Sequence, residues 1–190
     1  MTIDKNQLRL CILDKDRNSQ DKFKDLWEYY FPRLLVYIAS FKGISPHEYN
    51  DIVSEVLLTV FKKIEQYNQK YSLSTWVYTI AKNHFIDAIR KSKNTNVVPI
   101  DLIDEQYVVN HTAQKNVIDI IIEQDAADKC QQIIKSLKER DKRLIFLKYY
   151  EGLNSKEIAL IEGIPASTVR QRLMVVKSYI KERIGGCYAN

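Results

Sequence analysis

The sequence predicts an all-α protein built as two small helical domains joined by a partly irregular acidic linker. Three observations carry that expectation. Apolar residues recur at helical spacing over most of the chain. Only five Gly and four Pro interrupt 190 residues. Strand-like alternation bounded by turns is nearly absent. The expected division is a helical domain over residues 1–92, a linker over 93–129 and a second helical domain over 130–190.

Charge follows the same division. Residues 1–91 carry 14 Lys/Arg against 11 Asp/Glu, residues 92–130 carry 3 against 7, and residues 131–190 carry 12 against 6. Two basic ends around an acidic middle suit two nucleic-acid contacts and a connector with another task. A solvated surface gives the same pattern, so charge supports this reading without deciding it. Cys11, Cys130 and Cys187 are widely spaced and odd in number, and His47, His84 and His111 form no metal-ligand spacing with them. The expectation is three reduced cysteines in a cytoplasmic protein with neither metal nor cofactor. Arg9 and Asp14 break the N-terminal apolar residues, so no signal peptide is expected, and no apolar run reaches the length of a membrane span.

The first helical stripe is Phe23, Leu26, Trp27, Tyr30, Phe31, Leu34, Leu35 and Ile38. Its width marks a core-facing helix. Pro32 lies inside it and predicts a kink or a break near Tyr30 or Phe31. Gly43-Ile44-Ser45-Pro46 reads as a turn. A second helix is expected from about Glu48 to about Ile64, with Val53, Val56, Leu57, Val60, Phe61 and Ile64 inward. Asp51, Glu55, Leu58 and Lys62 share its other face. The paired carboxylates allow a metal or general-acid reading. With no third ligand nearby except His47 or Glu48, a solvated face explains them as well.

Glu65 to Ser74 lacks an apolar period and reads as a polar, aromatic loop. Thr75 to Lys91 then reads as one amphipathic helix, with Ser74 as its N-cap and Val77, Ile80, Ala81, Ile86 and Ile89 as its apolar positions. Trp76, Asn83, Asp87 and Arg90 occupy the other face, with Lys82 and Lys91 beside them. An aromatic, an amide and basic groups on one helix can stack on bases, bond base edges and hold phosphates.

Ser74-Thr75-Trp76-Val77-Tyr78-Thr79-Ile80-Ala81-Lys82-Asn83, with Asp87 and Arg90, resembles region 2 of bacterial RNA polymerase sigma factors. The short chain is similar to the extracytoplasmic-function (ECF) group of the sigma-70 family. That resemblance implies three things. Asp51, Glu55, Leu58 and Lys62 would dock on the clamp helices of the polymerase β′ subunit. Tyr67, Asn68, Lys70, Tyr71, Trp76, Asn83, Asp87 and Arg90 would open the minus-ten element and capture its single-stranded bases, one flipped out of the stack. The connector would thread the polymerase cleft, although an acidic stretch also suits a plain solvated linker.

In the connector, Ser92 to Asn96 is a polar break, and Val117 to Lys129 reads as a helix. From Cys130 the period returns. Ile133, Ile134 and Leu137 mark one helix, Leu144, Ile145, Leu147 and Tyr149 the next, and Gly152-Leu153-Asn154 a break. Ser155 to Leu173 has a helix-turn-helix pattern, with Ala159 at the crossing, Gly163 in the turn and Pro165 opening the second helix. Val169, Leu173, Val176 and Ile180 form that helix's buried stripe. Arg170, Gln171, Met174, Lys177 and Lys181 face outward, with Ser167 and Thr168 at the N-terminus, and Arg172 completes the basic set. Such residues meet base edges and phosphates.

With Lys148-Tyr149-Tyr150-Glu151-Gly152-Leu153 before it, this segment looks like sigma region 4. The resemblance implies that it reads a minus-thirty-five element and binds the β flap. Val175 departs from it, standing where relatives often carry a basic residue. The implied partners are core RNA polymerase, promoter DNA in duplex and single-stranded form, and an anti-sigma factor. The alternative is a stand-alone helix-turn-helix regulator that binds a palindromic operator as a dimer. An enzyme built on Asp51, Glu55 and a His lacks a phosphate loop, an activated nucleophile or a metal cluster.

Overall fold

A computed structural model of the chain describes residues 5–14, 16–41, 43–92 and 133–185. The expected linker, its helix at Val117–Lys129, Cys130 and Cys187 lie outside the described residues. The helices fall into two compact units, one containing α1–α4 and the other α5–α7.

In the first unit, α1 (Lys5–Leu13) buries Leu8 and Ile12, one turn apart. It was not expected from periodicity, because nine residues hold only two buried positions. Helix α2 (Ser19–Ala39) follows as one helix, so of the kink or break expected near Pro32 the break does not occur. A proline inside a helix costs roughly 3 kcal/mol. Leu26, Leu34, Val36 and Ile38 are all buried here, each stabilising the helix in place by about 1.5–3 kcal/mol, so burial prevails over the proline. The Arg33 guanidinium, lying over the Tyr29 ring, donates a 2.6 Å hydrogen bond to the Tyr29 carbonyl in the turn before Pro32.

A left-handed Gly43 (φ 101°) and a short 3₁₀ turn at Pro46–Glu48 lead into α3 (Tyr49–Lys62). Ser45 and Glu48 cap that turn reciprocally, the Ser45 N–H donating to Glu48 Oε2 at 3.0 Å. Val53, Val56, Leu57 and Val60 are fully buried at i, i+3, i+4 and i+7, and α3 packs along α4 (Leu73–Ser92). Tyr30 and Tyr37 of α2 hold α4 through edge-on contacts with Tyr78, at ring separations of 6.4 and 5.0 Å.

Helix α4 begins earlier than expected. Ser74 is not its cap but lies within its first turn, fully buried, sharing a 2.9 Å hydrogen bond with the Tyr30 hydroxyl. Ser72 caps the helix instead, its Oγ accepting from the Thr75 N–H at 3.2 Å. Leu73, in the same first turn, is buried as well.

In the second unit, residues 133–135 are helical and Ile133 is buried. Helix α5 (Glu139–Ile145) runs into a wider turn at Phe146–Tyr150, closed by a 3.0 Å bond from the Glu151 N–H to the Phe146 carbonyl. That i→i+5 spacing advances the helical register. Tyr149, expected on the apolar stripe with Leu144 and Leu147, is exposed: at 100° per residue it lies about 140° and 160° from them, on the opposite side of the helix. Gly152 (φ 68°) ends the turn, and Asn154 caps α6 (Ser155–Glu162). Gly163 (φ 65°, ψ 30°) closes α6 in the left-handed conformation, and α7 (Ala166–Gly185) starts immediately after Pro165. Helix α7 packs on both α5 and α6 around Leu144, Leu147, Leu153, Ile158, Ile161, Val169 and Val176.

Candidate nucleic-acid interface

Three exposed helix faces contain the side chains singled out from the sequence. On α4, at 100° per residue, Trp76, Asn83, Asp87 and Arg90 fall within a sector of about 60°. Asn83, Asp87 and Arg90 are exposed and Trp76 is half-buried. Arg90 Nη1 lies 3.4 Å from Asp87 Oδ1, a long and solvated contact that leaves the guanidinium open to another anion. Lys82 does not belong to this face. It falls on the stripe of Tyr78 and Phe85 and is only 8% exposed. Lys91 is exposed at the helix end.

The loop before α4 divides its labour. Tyr67 is 7% exposed, its ring 5.4 Å from that of Trp76, and its hydroxyl donates a 2.6 Å bond to the Tyr71 carbonyl. Asn68 folds the loop: its Oδ1 accepts from the Lys70 N–H at 2.9 Å and its carbonyl from the Tyr71 N–H at 3.3 Å. These two residues form floor and hinge. Lys70 and the 41% exposed Tyr71 are the side chains presented to solvent beside Trp76's helix. The arrangement offers an aromatic wall, an ammonium and, further along α4, an amide and a guanidinium, a set suited to unstacked bases and their phosphates.

On α3, Asp51, Glu55, Leu58 and Lys62 lie within about 60° of one another and diametrically away from the buried valines. All four are exposed, Leu58 at 44%. His84 Nδ1 of α4 stands 3.9 Å from Glu55 Oε2. Among the described residues no group of His, Cys, Asp and Glu is placed to hold a metal ion. A leucine ringed by both charge signs is the composition of a protein-docking face.

The third face belongs to α7. Ser167, Arg170, Gln171, Met174 and Lys177 are exposed on one side of the helix, opposite the buried Val169 and Val176. Thr168 is half-buried at the edge. Arg172 turns the other way, its Nη1 3.6 Å from Asp141 Oδ1 of α5, so it braces α7 against α5. The face is presented by a rigid pair of helices. Asn154 Oδ1 accepts from the Lys156 and Glu157 N–H groups at 2.9 and 3.1 Å, while Glu157 Oε2 accepts from the Asn154 N–H at 3.0 Å. The Gly163 and Ile164 N–H groups both bond the Ala159 carbonyl, at 2.9 and 3.3 Å, which fixes the turn. Helix, tight left-handed turn and a second helix with an open polar side form a shape that enters a DNA major groove.

Sequence reasoning missed Arg9 and Ser72. Arg9 Nη2 of α1 donates a 3.0 Å hydrogen bond to Gln69 Oε1 in the loop. No local pattern marks a contact between residues 60 positions apart. Ser72 had a signal, a hydroxyl three residues before Thr75, that competed with the neighbouring Ser74.

Residues 26–95 match the family model for sigma-70 region 2, and residues 128–175 match that for sigma-70 region 4. The chain is 28% identical over 163 residues to the ECF RNA polymerase sigma factor SigW of Bacillus subtilis, covering 83% of this chain and 86% of the relative. It is 26% identical over 170 residues to the RNA polymerase sigma factor SigZ of the same organism, covering 86% and 88%. Among solved structures, the sigma factor RpoE in complex with the anti-sigma factor NepR from Bartonella quintana aligns with a TM-score of 0.56 at 19% identity, over 87% of this chain and 98% of that one. CnrH in complex with the cytosolic domain of CnrY aligns with a TM-score of 0.53 at 13% identity, over 96% and 97%.

Proposed function

Because this chain belongs to the ECF group of the sigma-70 family of RNA polymerase sigma factors, we propose that it binds core polymerase and selects promoters through the three faces described above. Residues 1–92 form the domain that docks on the polymerase and opens the minus-ten element. Residues 130–190 form the domain that reads the minus-thirty-five element, and 93–129 is the linker that threads the cleft.

Asp51, Glu55, Leu58 and Lys62 engage the β′ clamp helices, with Leu58 as the apolar centre and the charges as its rim. Lys70, Tyr71 and Trp76 stack on and hold the melted minus-ten strand, and Asn83 bonds the edge of a flipped base. Tyr67 and Asn68 support that loop from beneath, and Asp87 and Arg90 extend the α4 face along the strand. Unstacking a base costs a few kcal/mol, roughly, and stacking at about 1–3 kcal/mol per base offsets it. Ser167, Thr168, Arg170, Gln171 and Met174 meet base edges in the minus-thirty-five duplex, Lys177 holds phosphate, and Arg172 contributes by bracing α7. The same domain binds the β flap.

The phosphodiester chemistry belongs to the polymerase, and this chain supplies binding energy and promoter melting. Among the described residues no helix is long and apolar enough to cross a membrane. The chain works in the cytoplasm, restrained by an anti-sigma factor that covers the same faces. The observation that carries this reading is the paired match, region 2 followed by region 4, each with an exposed polar helix face. A stand-alone regulator would leave the first match without a role.

The test is co-purification with bacterial core polymerase, then transcription of a genomic library with and without the chain. Stoichiometric association and new transcripts with aligned start sites support the reading. Duplex DNA binding by the chain alone, with no association to core, overturns it.

A further inference from the structure

Helix α1 lies before residue 26, where the region 2 match begins, and has no part in the faces assigned above. It is nevertheless firmly seated, with Leu8 fully buried and Ile12 at 4% exposure. Arg9 sits between these anchors, and its Nη2 donates to Gln69 Oε1 at 3.0 Å. Gln69 is the central residue of the turn that Asn68 folds, immediately before Lys70 and Tyr71. The other hydrogen bonds described for the tip, from the Lys70 and Tyr71 N–H groups and the Tyr67 hydroxyl, span four residues or fewer. They set the shape of the turn but not its direction. The Arg9 bond, spanning 60 residues, ties the tip to α1, which Leu8 and Ile12 anchor.

We propose that Arg9 is a positioning residue for strand capture: through Gln69 it aims the 68–71 turn so that Lys70 and Tyr71 meet the melted minus-ten strand. This rests on the assignment of that loop to the minus-ten element. Arginine suits the task because its planar fork loses little orientational freedom on bonding an amide oxygen. A loop left to its local bonds samples several directions, and only the competent fraction captures DNA, which lowers apparent affinity by that fraction. A single solvated hydrogen bond of this type shifts such a population by about two- to fivefold.

The experiment uses holoenzyme assembled from the full chain and core polymerase, on a promoter identified by transcription of a genomic library. Open-complex formation is measured for wild type, Arg9→Ala, Gln69→Ala and the double variant, across a salt series. Core affinity and the thermal midpoint of the free chain are measured alongside. The expected result is a two- to fivefold loss for each single variant, no further loss in the double, and unchanged core affinity, thermal midpoint and salt slope. Loss in Arg9→Ala alone, with the salt slope reduced by about one, would make Arg9 a direct phosphate contact and overturn the positioning role. Additive losses, no loss, or a loss that follows a fallen thermal midpoint would also overturn it. Wild-type opening by Lys70→Ala and Tyr71→Ala variants would instead refute the loop assignment on which the proposal stands.

Discussion

Replacing Asn83 with alanine separates folding from function, because the two effects have opposite signs. Asn83 is exposed in the interior of α4, far from either end. Asparagine is a poorer helix former than alanine by up to about 0.7 kcal/mol, so Asn83→Ala leaves the fold as stable or slightly more stable. On the strand, the same change removes an amide able to make two hydrogen bonds to a base edge, worth about 1–3 kcal/mol. That corresponds to a loss of roughly five- to 150-fold in open-complex formation. The α3 face is untouched, since Leu58, Asp51 and Glu55 lie on another helix. The assay is permanganate footprinting of holoenzyme on a cognate promoter, beside a titration of core polymerase with each chain and a thermal melt. The expected outcome is a raised or equal melting midpoint, equal core affinity and a deficit in reactive minus-ten thymines. Equal losses of core affinity and opening would refute the reasoning, and so would unimpaired opening.

The remaining faces yield simpler tests. Leu58→Asp puts a charge at the centre of the α3 face, where the side chain is already 44% exposed; folding is unaffected and core affinity falls at least about tenfold in a pull-down titration. Lys177→Ala weakens duplex minus-thirty-five binding for all sequences alike and lowers the slope of log affinity against log salt by about one, read by fluorescence anisotropy. Asn154→Ala removes the acceptor of two N–H groups at the start of α6; urea denaturation should show a loss of about 1 kcal/mol.

How much of this was legible in the sequence varied with the kind of signal. The centres of the α2 and α3 stripes were legible because their apolar residues are long runs at one period: Leu26, Tyr30, Leu34 and Ile38 are buried, whereas Phe23, Trp27, Phe31, Leu35, Phe61 and Ile64 are half-buried and Val36, Tyr37 and Ile52 are buried without having been expected. Val53, Val56, Leu57 and Val60 are all fully buried, and the charged set opposite them is all exposed. The helix-turn-helix was legible because its turn needs particular residues: Gly163 at positive φ, Pro165 before the helix and a small Ala159. Pro32 misled because a local preference was weighed without the tertiary burial that outweighs it. Tyr149 misled because its ring was counted with the apolar residues, although at 100° per residue it lies on the side of the helix away from Leu144 and Leu147. Helix α1 escaped notice because two buried residues do not make a periodicity.

The candidate site was harder to read than the fold, for a reason visible in Lys82 and Tyr67. Chemistry assigns both to a nucleic-acid surface, one as a cation and the other as a stacking ring. Their depth is set by geometry. Lys82 follows Tyr78 and precedes Phe85 on the same stripe, so its aliphatic stem is buried along with them. Tyr67 lies beneath Trp76 and spends its hydroxyl on the Tyr71 carbonyl. Residue type says what a side chain could do; only packing says which side chains are available to do it. Where the two agree, at Trp76, Asn83, Arg90 and Lys70, the face follows from sequence alone. Where they differ, the buried residue supports its neighbour instead, and Tyr71 is open to stacking because Tyr67 is not.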